Sequence, residues 1–276
     1  MTVIFLDADG TLFHPNGYIP QSALEACWQV QKNGHKLCLC TGRQKMEIYG
    51  DLLKINYDAI VAGSGAHIEV KDTVLHDECF TKKQMQQLVL YFVRHQIPAI
   101  YESWNCLYCT QSTMNQLVEL TKKVCKNLSD EAYEKHGLVQ IIRNAKVVQS
   151  FYDYPINKIT FLSSDTPYKK IEEDLKKDFD VVPATFEPLG KESGEIASLS
   201  ISKADGMDRL LKYWNMPSKE CIAIGDGFND LCMFEYAKTS IAMKNADPIV
   251  QKKADWVTAS LEDDGIQKAF KKLALL

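Results

Sequence analysis

The sequence predicts an α/β protein in which a parallel sheet, covered by helices on both faces, is interrupted by an inserted α+β domain. Two observations carry this. Short apolar strands alternate with amphipathic helices over the first 62 residues and again from Ala197 onward, the pattern of a parallel sheet with crossover helices. Between about Thr81 and Pro188 the strands instead come in pairs between helices, which points to an antiparallel sheet. The expected division is residues 1–80 with 189–276 as the core and 81–188 as the insert, each of ordinary domain size.

Taken in order, Thr2 to Leu6 is a short buried strand. Pro20 and Ser22 open a helix with Leu24, Cys27 and Trp28 on one face, and Gly34 ends it. Leu37 to Cys40 is the next strand, followed by a helix from about Gln44 to Leu53, a strand at Ala59 to Ala62 and a hairpin at His67 to Leu75. The insert reads as a helix (Lys82 to His95), two strands, a helix (Ser112 to Cys125), strands around Val147 to Tyr152 and Lys158 to Leu162, a helix (Thr166 to Lys176) and a strand (Asp180 to Val182). From Ala197 the core rhythm returns with a strand, then a helix from Lys203 with Met207, Leu210, Leu211 and Trp214 at helical spacing, then a strand at Cys221 to Ile224.

Composition removes several classes. Of 276 residues, 46% are hydrophobic and 25% charged, which excludes a disordered or low-complexity chain. The net charge of −4, with no basic run longer than two residues, disfavours binding to a nucleic-acid backbone. Apolar runs such as Leu88 to Val93 fall far short of the roughly 18 residues of a membrane span. Val3 to Leu6 is too short for a signal core and is followed at once by Asp7. The expectation is a cytoplasmic protein with no membrane partner. Its nine scattered cysteines read as reduced, buried thiols. Cys106 and Cys109 have no second pair for a metal site and read as packing; Cys38 and Cys40 share one strand face.

The chemistry sits at predicted strand ends, where open α/β sheets bind ligands. Asp7-Ala8-Asp9-Gly10-Thr11 follows the first strand. Alternate positions share a face, so Asp7 and Asp9 can reach one site, and a cation would relieve their repulsion. Asp-Gly is also a common turn signal. A second acidic cluster, Gly225-Asp226-Gly227-Phe228-Asn229-Asp230, follows the strand ending at Ile224. Two such clusters can jointly hold one hard cation, and carboxylates, carbonyls and water suit Mg²⁺. The alternative for the second is an Asn/Asp turn opening a helix. Thr41-Gly42-Arg43 offers a hydroxyl and amides to phosphate at a helix start, or simply a cap. Lys203 opens a helix, the end at which a cation is disfavoured, so an anion or carboxylates beside it would explain the placement.

With these motifs in this order, the sequence resembles the haloacid dehalogenase superfamily of phosphohydrolases. It is similar to the Cof-type branch, in which a large α/β cap is inserted between the second and third motifs. The stretches Ala242-Met243-Lys244-Asn245-Ala246, Ala254-Asp255 and Asp263-Asp264-Gly265-Ile266 share the resemblance, which covers the whole chain. It implies a Rossmann-like core and a Mg²⁺-dependent phosphatase acting on a small phosphorylated metabolite, with a sugar phosphate expected. It further implies Asp7 as nucleophile forming an aspartyl phosphate, Asp9 as acid and base, and Mg²⁺ held by Asp7, the Asp9 carbonyl and Asp226. Thr41, Gly42 and Lys203 would hold the phosphoryl group, Asp230 and Asn229 would orient the metal shell or phosphate, and Arg43 would meet the substrate or stabilise its loop. One departure stands out: where the branch has Asn-Gly-Ala, this chain has Gly63-Ser64-Gly65-Ala66. Two other readings remain open, a phosphomutase on the same scaffold and a phospho-acceptor regulatory module. The latter is disfavoured by the second aspartate and the insert. Because the core motifs are committed to phosphoryl transfer, leaving-group selectivity is expected from the insert, with Tyr101, Glu102 and Trp104 as candidates.

Overall fold

The structure is a computed structural model that describes every residue except Asp72 and Thr185; Asp72 falls within the expected hairpin and Thr185 within the expected insert. The chain divides into two units, Met1–Asp77 with Ile201–Leu276, and Glu78–Ser200.

The first unit begins with β1 (Val3–Leu6), α1 (Gln21–Lys32), β2 (Lys36–Cys40), β3 (Ala59–Ala62), β4 (His67–Val70) and β5 (Thr73–Asp77). The second comprises α2 (Lys82–Arg94), β6 (Ala99–Ser103), β7 (Cys106–Cys109), α3 (Gln111–Val124), α4 (Asp130–Lys135), α5 (Gly137–Asn144), β8 (Ala145–Val147), β9 (Lys158–Phe161), α6 (Tyr168–Leu175), β10 (Phe179–Pro183) and β11 (Gly194–Ser198). The first unit resumes with α7 (Lys203–Tyr213), β12 (Cys221–Gly225), α8 (Leu231–Tyr236), β13 (Thr239–Ala242), α9 (Pro248–Lys253), β14 (Trp256–Val257) and α10 (Gly265–Lys272).

The core sheet has the order β14-β13-β12-β1-β2-β3-β4-β5. It is parallel from β14 to β3, and the β4–β5 hairpin adds antiparallel. Strand alternation sorts its side chains into two layers. Ile4, Leu6, Leu37, Leu39, Ile222 and Ile224 join the cluster that includes α1 and α10 residues, while Val3, Phe5, Cys38, Cys40, Cys221 and Ala223 join the one under α7 and α8. β1 pairs with β2 on one side and β12 on the other, so the chain order reverses at β1. That reversal leaves a crevice at the carboxyl ends of the central strands.

The second unit carries a six-stranded sheet, β10-β11-β9-β6-β7-β8, antiparallel except for the β7–β8 pair. The strand expected near Ala197 to reopen the core is β11, and it pairs with β10 and β9 instead. The unit therefore extends to Ser200 rather than Pro188; the run Gly194–Ser198 has no local feature that selects one sheet over the other.

Other differences are local. The helix expected over Gln44 to Leu53 is two 3₁₀ turns, Lys45–Glu47 and Gly50–Lys54, the second opening at Gly50 with φ 61°. Trp28 is 44% exposed; Ala23, Leu24, Ala26, Cys27 and Val30 form the buried face of α1. The apolar run after Val147 is not strand: Phe151 leaves it to stack on Tyr101 at 3.7 Å. Helices α4 and α5 were not expected, being six and eight residues long and capped by Ser129 and His136. Cys106, Cys109, Cys38 and Cys40 are all buried free thiols, as packing requires.

Candidate active site

The end of β1 delivers Asp7 into the crevice, with its amide bonded to the Ile224 carbonyl of β12. The chain then turns at Gly10, whose φ is 79°. A Cβ there would stand 2.1 Å from Asp226 Oδ2, so the turn is glycine both for its conformation and to let the β12 loop approach. Thr11 fastens the two loops, its hydroxyl donating to Asp226 Oδ1 at 2.8 Å.

Lys203 is the first residue of α7, whose N-terminus is capped by Ser202. Its side chain is 1% exposed, and Nζ donates to Asp7 Oδ1 at 2.5 Å and to Asp230 Oδ1 at 2.6 Å. The other oxygen of Asp230, Oδ2, accepts from the amides of Asp226 and Gly227 at 3.0 and 2.9 Å. Asp230 is thus committed on both oxygens: it holds the lysine and shapes the loop that carries Asp226. Lys203 is no longer an unfavourably placed surface cation but the counter-ion of two carboxylates, which is why it stands at a helix start.

Asp7, Asp226 and Asp230 each place an oxygen within 4.8 Å of the others. One ammonium against three carboxylates leaves surplus negative charge in a buried space. Burial, then Asp230 and Asp226, push the Asp7 carboxyl well above its usual value despite Lys203. Burial raises Asp226 to about 6, opposed by the Thr11 hydrogen bond. Lys203 stays charged: burial acts to lower it, but Asp230 and Asp7 hold it well above the usual lysine value. The surplus must be met by protons or by a cation. An all-oxygen donor set suits a hard divalent cation such as Mg²⁺, so the residues fit that group.

Asp9 is placed differently. Its side chain is 55% exposed and accepts two hydrogen bonds from Arg43, Nε to Oδ2 at 2.8 Å and a terminal nitrogen to Oδ1 at 2.7 Å. Arg43 is itself held by the Glu47 carbonyl at 2.8 Å and lies over the rings of Phe13 and Tyr49 at 5.0 and 5.1 Å. Burial works against its charge, but Asp9 more than compensates and drives its pKa up. The Asp9 side chain is therefore outside the carboxylate cluster and pinned by a two-point ion pair.

Thr41 follows directly on β2, is 1% exposed, and accepts from the Arg43 amide at 3.1 Å. Gly42 follows, with Asn229 and Ser64 beside it: a Cβ built on Gly42 would lie 3.8 Å from Asn229 Nδ2 and 3.5 Å from Ser64 Oγ. The fold thus gathers Asp7, Lys203, Asp226 and Asp230 around one point, sets Asp9 with Arg43 in a separate ion pair, and brings Asn229 and Ser64 near Gly42. Asn245 was not singled out for the site. Its Nδ2 donates to the Gly10 carbonyl at 2.8 Å and reaches Asp226 Oδ2 at 3.4 Å, while its Oδ1 accepts from the Leu261 amide. Thr11 was likewise seen only as part of a motif. Neither spacing nor periodicity exposes such loop-to-loop ties.

Of the insert residues, Tyr101 is buried against Phe92 and Phe151, and Glu102 is buried beside Lys158 and Thr160. Among the described residues no helix is long and apolar enough to cross a membrane.

The sequence profile of haloacid dehalogenase-like hydrolases matches residues 4–270. The chain is 24% identical to the Bacillus subtilis phosphatase YwpJ, covering 99% of this chain and all of that protein. It is also 24% identical to the 5-amino-6-(5-phospho-D-ribitylamino)uracil phosphatase YwtE of the same organism, over 96% of each. Its structure is similar to that of a haloacid dehalogenase-like hydrolase from B. subtilis, with a TM-score of 0.79 at 25% identity over 99% of this chain and all of that one. It is also similar in fold to a sugar phosphatase of subclass IIB, with a TM-score of 0.79 at 20% identity and full coverage of both chains.

Proposed function

Because the chain belongs to the haloacid dehalogenase-like hydrolase family and is a phosphatase, we propose that it hydrolyses a small phosphomonoester by a Mg²⁺-dependent route through a phosphorylated Asp7. The observation that carries this reading is the ion pair of Lys203 with Asp7 beside Asp226. A carboxylate buried in that setting is costly unless it reacts or binds.

Asp7 Oδ1 is engaged by Lys203, and among the described residues Oδ2 takes no hydrogen bond, so Oδ2 is the oxygen available to attack phosphorus. The P–O bond to the leaving group breaks as the Asp7–P bond forms, and water then cleaves the acyl phosphate to return the carboxylate. Asp9 gives a proton to the leaving oxygen and takes one from the attacking water; to reach it, its carboxyl exchanges one contact with Arg43. Lys203 and the Thr41 hydroxyl hold the charge on the phosphoryl oxygens. Held by Asp7, Asp226 and the Asp9 carbonyl, Mg²⁺ would neutralise charge between the anionic nucleophile and the anionic substrate. Asp230 acts through Lys203 and the Asp226 loop.

The sugar phosphatase among the structural relatives and the phosphorylated ribityl substrate named for YwtE support a phosphorylated polyol or sugar as the substrate class. The test is a phosphate-release screen over sugar phosphates, nucleotides and cofactor phosphates, with and without a chelator. Release that depends on Mg²⁺, together with mass-spectrometric capture of a phosphorylated Asp7 peptide, supports the reading. Chelator-insensitive release would remove the metal from it. Isomerisation without stoichiometric phosphate would indicate a mutase.

A further inference from the structure

We propose that Ser64 contacts the substrate: its hydroxyl joins the Asn229 side-chain amide, which the family resemblance already gives to the phosphate or metal shell, as a second donor to a phosphoryl oxygen beside Gly42. This rests on the phosphatase reading above.

The loop after β3 runs Gly63-Ser64-Gly65 with φ of 55°, 56° and 109°. At Gly65 a Cβ would stand 2.2 Å from the Ser202 carbonyl oxygen, so that position admits no side chain. Ser64 is the one residue of the three that carries a side chain, and it carries it in the left-handed region, where glycine or asparagine would sit at lower cost. Such conformations persist at functional sites, where the surroundings over-determine them.

The main chain of the loop already does the structural work. The Ser64 amide donates to the Thr41 carbonyl at 3.0 Å and the Gly63 amide to the Arg43 carbonyl at 2.8 Å. These bonds brace the Thr41–Arg43 segment without using the serine hydroxyl. That hydroxyl is half-buried, and among the described residues it has no hydrogen-bond partner. The Asn229 side chain, exposed on the separate loop that carries Asp226, likewise makes no hydrogen bond among the described residues. Both lie against Gly42, within 3.5 and 3.8 Å of where its Cβ would be, and Gly42 has no side chain to fill the space between them. Two neutral donors, from two loops, flanking the glycine that adjoins Thr41 suit an oxyanion edge, which takes several hydrogen bonds at once.

The experiment compares wild type with Ser64→Gly and Ser64→Ala, using p-nitrophenyl phosphate as substrate and inorganic phosphate as competitive inhibitor, with thermal unfolding alongside. Ser64→Gly removes the hydroxyl but relieves the left-handed backbone. A structural hydroxyl would lower Tm when lost; a substrate contact leaves Tm unchanged or raised while KM and the phosphate Ki both rise about tenfold. Ser64→Ala should give the same rise in both constants without the gain in Tm. Both constants within twofold of wild type in both variants would overturn the proposal. So would a rise in KM with unchanged phosphate Ki, since that puts the hydroxyl on the leaving group. If the wild type proves inactive, the phosphatase reading fails by itself. Calorimetric titration of inorganic phosphate into wild type and Ser64→Gly then decides the pair: weaker binding in the variant supports it, equal binding overturns it.

Discussion

The core and the insert each bury a lysine among carboxylates, and the two clusters are assembled in different ways. In the insert, Lys158 lies 3.1 Å from Glu102 Oε2 and 3.5 Å from Glu195 Oε2, and the Thr160 hydroxyl donates to Glu102 Oε1 at 2.5 Å. These residues are cross-strand neighbours: Glu102 is opposite Lys158, and Glu195 is opposite Thr160. Sheet register alone pairs them, and the Glu195 side chain keeps 25% of its surface to solvent. In the core, the side chains arrive from a loop after β1, the first turn of α7 and the turn after β12. Register pairs none of them, and Asp7 and Asp230 are 8% and 0% exposed. Buried charge is common to both. Surplus buried charge at strand ends, with loops that other groups can enter, belongs to the core cluster.

The largest effect should come from Asp7→Asn. The amide keeps the shape but cannot attack, so kcat should fall by about 10⁴-fold or more, with far-UV circular dichroism unchanged. A variant retaining a tenth of the activity would show that the core cluster is no more reactive than that of the insert.

Next come Asp9 and its partner. Asp9→Asn should cost roughly 10²–10⁴-fold on an alkyl phosphate, and far less on p-nitrophenyl phosphate, whose leaving group needs no proton. Arg43→Gln should show the same leaving-group dependence with smaller losses, of about tenfold, because it acts by holding Asp9. Equal losses on both substrates would instead make Arg43 a substrate contact.

In the insert, stability should respond more than chemistry. Lys158→Met leaves Glu102 buried without its ion pair and should cost roughly 3–5 kcal/mol in denaturant unfolding. The double change Glu102→Leu with Lys158→Met should recover most of that loss, since an apolar pair replaces the ionic one. No recovery would mean that the insert cluster, like that of the core, does something besides pair.

The smallest effect separates the clusters by pH. Burial places Asp226 near 6 in the folded, cation-free protein, above about 3.9 in the unfolded chain. The folded state therefore holds this proton more tightly. The stability it contributes is full below about pH 4 and is lost as pH rises through 6, by about 2 kcal/mol after allowance for partial exposure. Mg²⁺ should raise Tm at neutral pH and flatten this slope, and Asp226→Asn should abolish both. A slope unaffected by Mg²⁺ would place the cation elsewhere.

Much of the core was legible because its signals are local. Strand β3 was read at its observed limits, β1 and β2 to within a residue, and the acids, hydroxyl and lysine that follow strands were visible as punctuation. The strand that became β11 was less so, because Gly194–Ser198 reads equally well as a strand of either sheet, and only its pairing with β9 and β10 assigns it to the insert. The segment after Arg43, expected as a helix over Gln44 to Leu53, instead turns at Gly50, whose backbone lies in the left-handed region.

The sequence by itself determined which residue types stand at which strand ends, since strand period, helix caps and turn chemistry act over a few neighbouring residues. Only the tertiary structure decided their partners. Lys203 meets Asp7 from 196 positions away, Thr11 meets Asp226 across 215, and Asp9 turns to Arg43 rather than joining Asp7. Those choices follow from the reversal of strand order at β1, which brings the loops after β1, β2 and β12 side by side. That adjacency is a property of the sheet, which no short-range signal encodes.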